Sequence, residues 1–398
     1  MTGNGHGNDL LRRLEAGAQG RVTFIELFFD LVFVFAITQL SHALLAHLTV
    51  LGAIETAILF MAVWWVWIYT SWTANWLDPD LTPVRLMLMV LMLAGLVMSA
   101  SIPDAFGAMG IAYAGAHVFI QVGRSLFMLW ALRKAGETVL AQNFRRILIW
   151  LAIAGVFWLA GALCEREMRL VLWLIALAIE YAGPSAGFVV PGLGRSTTAD
   201  WNISGGHLAE RCALFIIIAL GESILVTGAT FAETAWSPVV ITAFVVAFVG
   251  SVAMWWIYFD TGHARGTHTI EHASDPGRLA RLAYTYLHLP IVAGIVVCAV
   301  SDELVLAHPV GHIEAPAIAA ILGGPALFIL GVGLFKRTFA PNFPLSHLVG
   351  LVLLALLVPV AFYFETLSLG ALAMSVLVIV AIWETVSLRD LRARLKPP

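Results

Sequence analysis

Two segments carry acidic residues at helical spacing inside otherwise apolar runs. In Arg21–Ser41 (RVTFIELFFDLVFVFAITQLS), Glu26 and Asp30 stand one helical turn apart, and Phe33, Ile37 and Ser41 continue their face. In His207–Leu225 (HLAERCALFIIIALGESIL), His207, Arg211, Leu214, Ile218 and Glu222 form a second stripe, with Glu210 beside it and Ser223 following. Two carboxylates one turn apart repel each other unless a cation, a proton or an arginine lies between them. Arg21 and Arg211 are the candidate partners. The pattern supports two chemistries: a cation or proton site, or a salt-bridged anchor that locks the two segments together. Glu222 lies about 22 Å along its helix from His207 at 1.5 Å per residue, too deep to reach a membrane surface easily. It can hold or relay a proton, or rest as a neutral carboxyl on Gln39 or His42 of the first segment.

A secondary polar network is expected elsewhere. His117, Gln121 and Arg124 make one stripe, and Arg124 is expected to pair with Glu180. Arg281, Tyr284 and His288 make another, followed by Pro290, which opens a kink. Asp260 closes an apolar run, and Glu384 sits late in the last one. His263, His268 and His272 with Glu271 could bind a metal, but a solvated loop is the favoured reading, and no metal or cofactor is expected. Asn202-Ile203-Ser204 fits a glycosylation sequon on what reads as the inner side, and is discounted. No H-E-x-x-H, G-x-S-x-G or Walker loop occurs, so no enzymatic activity is expected.

The elements that must hold these residues follow from composition. The chain has 398 residues, 60% of them apolar and 12% charged, with a mean hydropathy of +0.90. A soluble fold cannot hide that much apolar surface. A net charge of −3 with no basic face excludes a nucleic-acid binder, and the three cysteines, Cys164, Cys212 and Cys298, support no disulfide framework. Apolar runs of helix-spanning length recur at about 24–46, 51–73, 84–102, 107–131, 145–164, 168–189, 207–230, 236–259, 279–300, 315–335, 345–364 and 366–386. Strict alternation over barrel-length strands is absent. The expected fold is all-α: a polytopic membrane helix bundle of about 12 transmembrane helices, with the lipid bilayer as its partner.

Of the 22 Lys and Arg, Arg166 and Arg169 fall in outer connectors and Arg124 and Arg211 within spans; the rest lie on one side, which orients both termini to the cytoplasm. The two halves also rhyme. Glu26 matches Glu210, the WVWIY ending at Tyr69 matches the MWWIY ending at Tyr258, and Glu180 matches Glu384. Two parallel six-helix repeats are therefore expected, at 21–190 and 207–388, with a polar tail at 1–20, a connecting loop at 191–206 and a basic tail at 389–398. That architecture points to transport of an ion or small solute along the two acidic helices. A non-transporting scaffold, sensor or lipid-associated factor is the alternative.

Arg21–Ser41 and His207–Leu225 together resemble the bacterial low temperature requirement A family, in order and over essentially the whole chain. The resemblance rests on Glu26, Phe29, Asp30, Glu210, Arg211, Gly221, Glu222 and Ser223. It implies a multi-pass inner-membrane protein linked by name to growth in the cold, and hands over no catalytic residues. The FFDLVFVFAIT segment is also similar to the first helix of transmembrane protein 175-type potassium channels, but Phe29 stands where that pattern has Ser, and the second half has no such motif.

Overall fold

A computed structural model describes residues 10–12, 22–197, 201, 204–260, 262–271, 273 and 275–389, with backbone alone at 264, 268 and 271. Twelve of its helices are long and apolar enough to cross a membrane, as the composition requires. They are α1 (Phe24–Ala46), α2 (Val50–Trp76), α3 (Thr82–Ala100), α4 (Gly110–Ala135), α5 (Thr138–Ala162), α6 (Arg166–Ser185), α7 (Gly205–Glu233) and α8 (Pro238–Phe259), then a ninth span over Pro276–Ala307, α12 (Ala315–Arg337), a span over Leu345–Tyr363, and α14 (Thr366–Ser387). A short amphipathic helix, α9 (Gly262–Glu271), precedes the ninth span.

That ninth span is composite. It begins as α10 (Pro276–Leu279), continues as a π-helical stretch over Ala280–Tyr286, and resumes as α11 (His288–Ala307). Pro290 lacks an N–H and cannot close an α-helical bond to Tyr286, and the Leu287 N–H reaches back five residues to the Leu282 carbonyl at 3.1 Å. The kink predicted at Pro290 therefore takes the form of a π segment on its N-terminal side. The Leu345–Tyr363 span ends similarly: α13 (Leu345–Leu357) tightens into a 3₁₀ turn over Val358–Tyr363 at Pro359.

Most boundaries fall within a turn of the sequence expectation, with two informative exceptions. α5 starts at Thr138 rather than 145, directly after Gly136 closes α4 in the left-handed conformation (φ 75°). α11 runs to Ala307 rather than 300, which takes Ser301, Asp302 and Glu303 into a helix.

The helices gather into two compact units. One holds α1 to Ala43, then Ala53–Arg211 and Ser274–Arg281; the other holds Leu44–Gly52, Cys212–Ala273 and Leu282–Pro398. In the first unit α4 packs on α3 and α5, and α5 on α6. Its core is aromatic: Trp64, Trp65, Trp67, Trp158 and Trp173 are buried, and Trp65 stacks on Tyr181 at 4.0 Å. In the second unit α11 and α12 form the tightest pair, because glycines let their backbones meet. A Cβ at Gly294 would lie 2.5 Å from the Phe328 N, and one at Gly324 2.8 Å from the Cys298 N. Elsewhere Leu93, Leu225, Phe248 and Leu356 are exposed, an apolar exterior suited to hydrocarbon.

Candidate functional site

The acidic stripe of α1 and the basic stripe of α7 meet within the first unit. Among the described residues no cation bonds both Glu26 and Asp30; His207 faces the first and Arg211 the second. Glu26 Oε1 lies 2.9 Å from His207 Nε2, and Asp30 Oδ1 accepts from Arg211 Nη2 at 2.8 Å. Both rungs span 181 positions, so α1 and α7 lie in register and run in the same direction. Glu26 Oε2 also accepts the Thr23 N–H at 2.8 Å and its hydroxyl at 2.9 Å, with Arg12 Nη2 3.6 Å away. The Asn75 amide fixes the His207 tautomer. Its Oδ1 accepts the Ser204 N–H, so its Nδ2 donates both to the Ser204 carbonyl and to His207 Nδ1 at 3.3 Å, leaving the ring proton on Nε2 facing Glu26.

Asp30 Oδ1 accepts a second bond from the Trp67 indole at 2.8 Å, and Arg211 also reaches Ser71 Oγ at 3.2 Å. Arg211 does not use its guanidinium as a two-pronged fork: Asp30 Oδ2 and Arg211 Nε and Nη1 have no hydrogen-bond partner among the described residues. Glu26, Asp30, His207 and Arg211 are all at most 1% exposed, so pairing rather than hydration compensates their charge. Arg21 lies outside the described residues. Glu210 is exposed and accepts the Val22 N–H at 3.3 Å. Gln39 is half-buried and His42 exposed on α1, and neither belongs to this ladder.

The expected pairing of Arg124 with Glu180 is not what forms. Glu180 Oε1 takes His117 Nε2 at 2.9 Å and the Trp158 indole at 3.2 Å. Arg124, two turns further along α4, instead bonds Gln121, Thr70 Oγ1 at 3.0 Å and the Val66 carbonyl, and lies over the Tyr69 ring. In the second unit Glu384 Oε2 pairs with Lys336 at 2.5 Å, and Oε1 lies 3.4 Å from His347. His288 sits where the π segment ends. Its Nδ1 donates to the Ala283 carbonyl at 2.8 Å, so its Nε2 accepts from the Tyr258 hydroxyl at 2.7 Å. Asp260 caps the end of α8. On α9, His263 stacks near Tyr258, and burial pushes its imidazole below the ordinary range. The side chains of His268, Glu271 and His272 and the Asn202 sequon residue lie outside the described residues; among those described, no three ligating side chains gather as a metal site.

One group was invisible to sequence reasoning. Asp302 of α11 is 4% exposed, and its Oδ2 accepts from Ser223 Oγ on α7 at 3.1 Å. Ser223 Oγ lies 3.1 Å from Ser251 Oγ on α8, and Thr227 bonds the Ser223 carbonyl. Glu26, Asp30, Glu180 and Glu384 each face Arg, Lys or His, whereas Asp302 has no ion-pair partner among the described residues. It meets a chain of two hydroxyls instead. Glu222, beside Ser223, is also buried. A second missed residue is Arg169, read as a loop cation but buried, where it donates to the carbonyls of Ala105, Gly107, Gly161, Ala162 and Cys164.

A family model described as bacterial low temperature requirement A protein matches residues 21–382. An uncharacterized protein, RA0937, of Rhizobium meliloti (strain 1021) is 43% identical over 383 residues, covering 96% of this chain and 93% of that protein. No solved structure matches. With the α1 and α7 motifs inside a family match that spans nearly the whole chain, the protein belongs to the bacterial low temperature requirement A family.

Proposed function

We propose that the protein moves a proton or a small monovalent cation across the bacterial inner membrane, with both termini cytoplasmic, and that it is not an enzyme. The observation that carries this reading is Asp302, a carboxylate inside a membrane-spanning helix whose neighbours are the hydroxyls of Ser223 and Ser251. An ionised carboxylate in a span costs roughly 2.5–3.5 kcal/mol even on insertion scales, and no cation among the described residues pairs with it. Such a group must take up a proton or a cation from solution, and a hydroxyl chain can pass a proton or offer oxygen ligands. Two parallel six-helix repeats, the architecture inferred from the matched Glu26/Glu210 and Glu180/Glu384 positions, belong to transport proteins.

The test is flux in proteoliposomes loaded with a pH-sensitive dye, under imposed proton, Na⁺ and K⁺ gradients. Asp302→Asn and Ser223→Ala are expected to lower flux about tenfold or more, at normal folded yield, as removal of one essential group does. Wild-type flux in Asp302→Asn overturns the assignment.

A second reading has its own support. The α1–α7 ladder satisfies Glu26 and Asp30 with His207 and Arg211, as an anchor would, which favours a non-transporting scaffold or sensor. Empty-vesicle flux from the wild-type protein under every gradient would decide for it.

A further inference from the structure

The end of α4 and the facing part of α5 form a groove of about 340 Å³. Its walls are apolar and partly exposed, with Leu126 of α4 and Leu148 and Ile149 of α5, and Trp130 flanks them at 44% exposure. Arg133 and Arg145 line the same groove, and both are exposed. Neither guanidinium makes an ion pair or a hydrogen bond among the described residues. Arg146, next in sequence, is by contrast buried and committed to the Leu193 carbonyl at 2.9 Å. Glu137 is the one carboxylate of the α4–α5 turn, and it pairs with neither arginine.

Arg133 lies in the last turn of α4, two residues before the helix ends at Ala135. Arg145 starts about 10 Å inside α5 by helical rise, within reach of that end for a long side chain that snorkels. Lys134 lies 5.0 Å over the Trp130 ring, an amphipathic pair of the kind found at headgroup depth. A hydrocarbon-facing groove with two uncommitted guanidiniums at its membrane-surface end matches one class of molecule in charge and shape. We propose that it binds an anionic phospholipid, with the phosphate held between Arg133 and Arg145 and an acyl chain laid along Leu126, Leu148 and Ile149. Guanidinium suits this role because its planar fork meets two phosphate oxygens at once.

Native mass spectrometry of the full chain, released from micelles holding equal phosphatidylglycerol and phosphatidylcholine, reads the preference directly. Two arginines near the surface predict retention of phosphatidylglycerol over phosphatidylcholine by about thirtyfold, and a fall to near parity in the Arg133→Gln/Arg145→Gln double variant. Leu126→Trp fills the groove without touching charge, and is expected to lower retention of both lipids. Arg85→Gln, which removes an exposed arginine already paired with Asp80, is expected to leave the ratio unchanged. An unchanged ratio in the double variant overturns the site, as does an equal fall in Arg85→Gln, which would mark a general charge effect. Displacement of the lipid by millimolar inorganic phosphate would also overturn it, by assigning the arginines to a free anion.

Discussion

At the residue scale, the ladder of α1 and α7 shows how a membrane protein keeps four ionisable side chains in its interior. Glu26 has Thr23 and Arg12 beside His207, whereas Asp30 depends on Arg211 and the Trp67 indole, so loss of Arg211 leaves Asp30 charged and dry. Arg211→Gln removes the only cation bonded to Asp30 among the described residues, and is expected to destabilise the protein by about 3–5 kcal/mol, read as a lower midpoint in thermal unfolding in detergent. Asp30→Leu with Arg211→Met is expected to recover most of that loss, because neither charge is then left alone. The acids and bases of this ladder were legible in the sequence, since a charged stripe in an apolar run has few places to go. Partner choice was less so. Helical periodicity gives the face a residue occupies, not the depth at which a neighbouring helix offers its partner, and for that reason Glu180 meets His117 rather than Arg124. Asp302 escaped for a different reason: flanked by Ser301 and Glu303, it reads as the polar edge of a span, and only the longer α11 brings it inside.

At the element scale, the twelve spans were legible because hydrocarbon imposes a length and a composition on any helix that crosses it. The irregularities within them were not, apart from the ones proline announces. The π segment before Pro290 places His288 opposite Tyr258, so a single backbone irregularity sets a buried hydrogen-bonded pair. The close approach of α11 and α12 depends on glycines whose role the sequence does not reveal, since the chain has 34 of them. Two substitutions separate the roles. Gly294→Ala would force a methyl to within 2.5 Å of a backbone nitrogen and is expected to cost about 1–3 kcal/mol of stability, whereas Gly323→Ala, with open space around it, is expected to be neutral or slightly stabilising. Intrinsic tryptophan fluorescence during heating follows both.

At the scale of the whole molecule, the distribution of cations predicts cytoplasmic termini. A fluorescent protein fused after Pro398 is expected to glow, and alkaline phosphatase at the same place to stay inactive; the reverse pattern would invert the topology. The ladder also has a consequence for how the chain is made. Its acids lie on α1, and its bases follow 181 residues later on α7. At about 5–20 residues per second, α1 waits on the order of 10–40 s for His207 and Arg211 to be synthesised. Through that interval its carboxylates must stay protonated, stay near the membrane surface, or be sheltered by the insertion machinery. The arrival of α7 is thus the moment at which the carboxylates of α1 gain their lasting partners, so a nascent chain that stops before it carries those acids without His207 and Arg211.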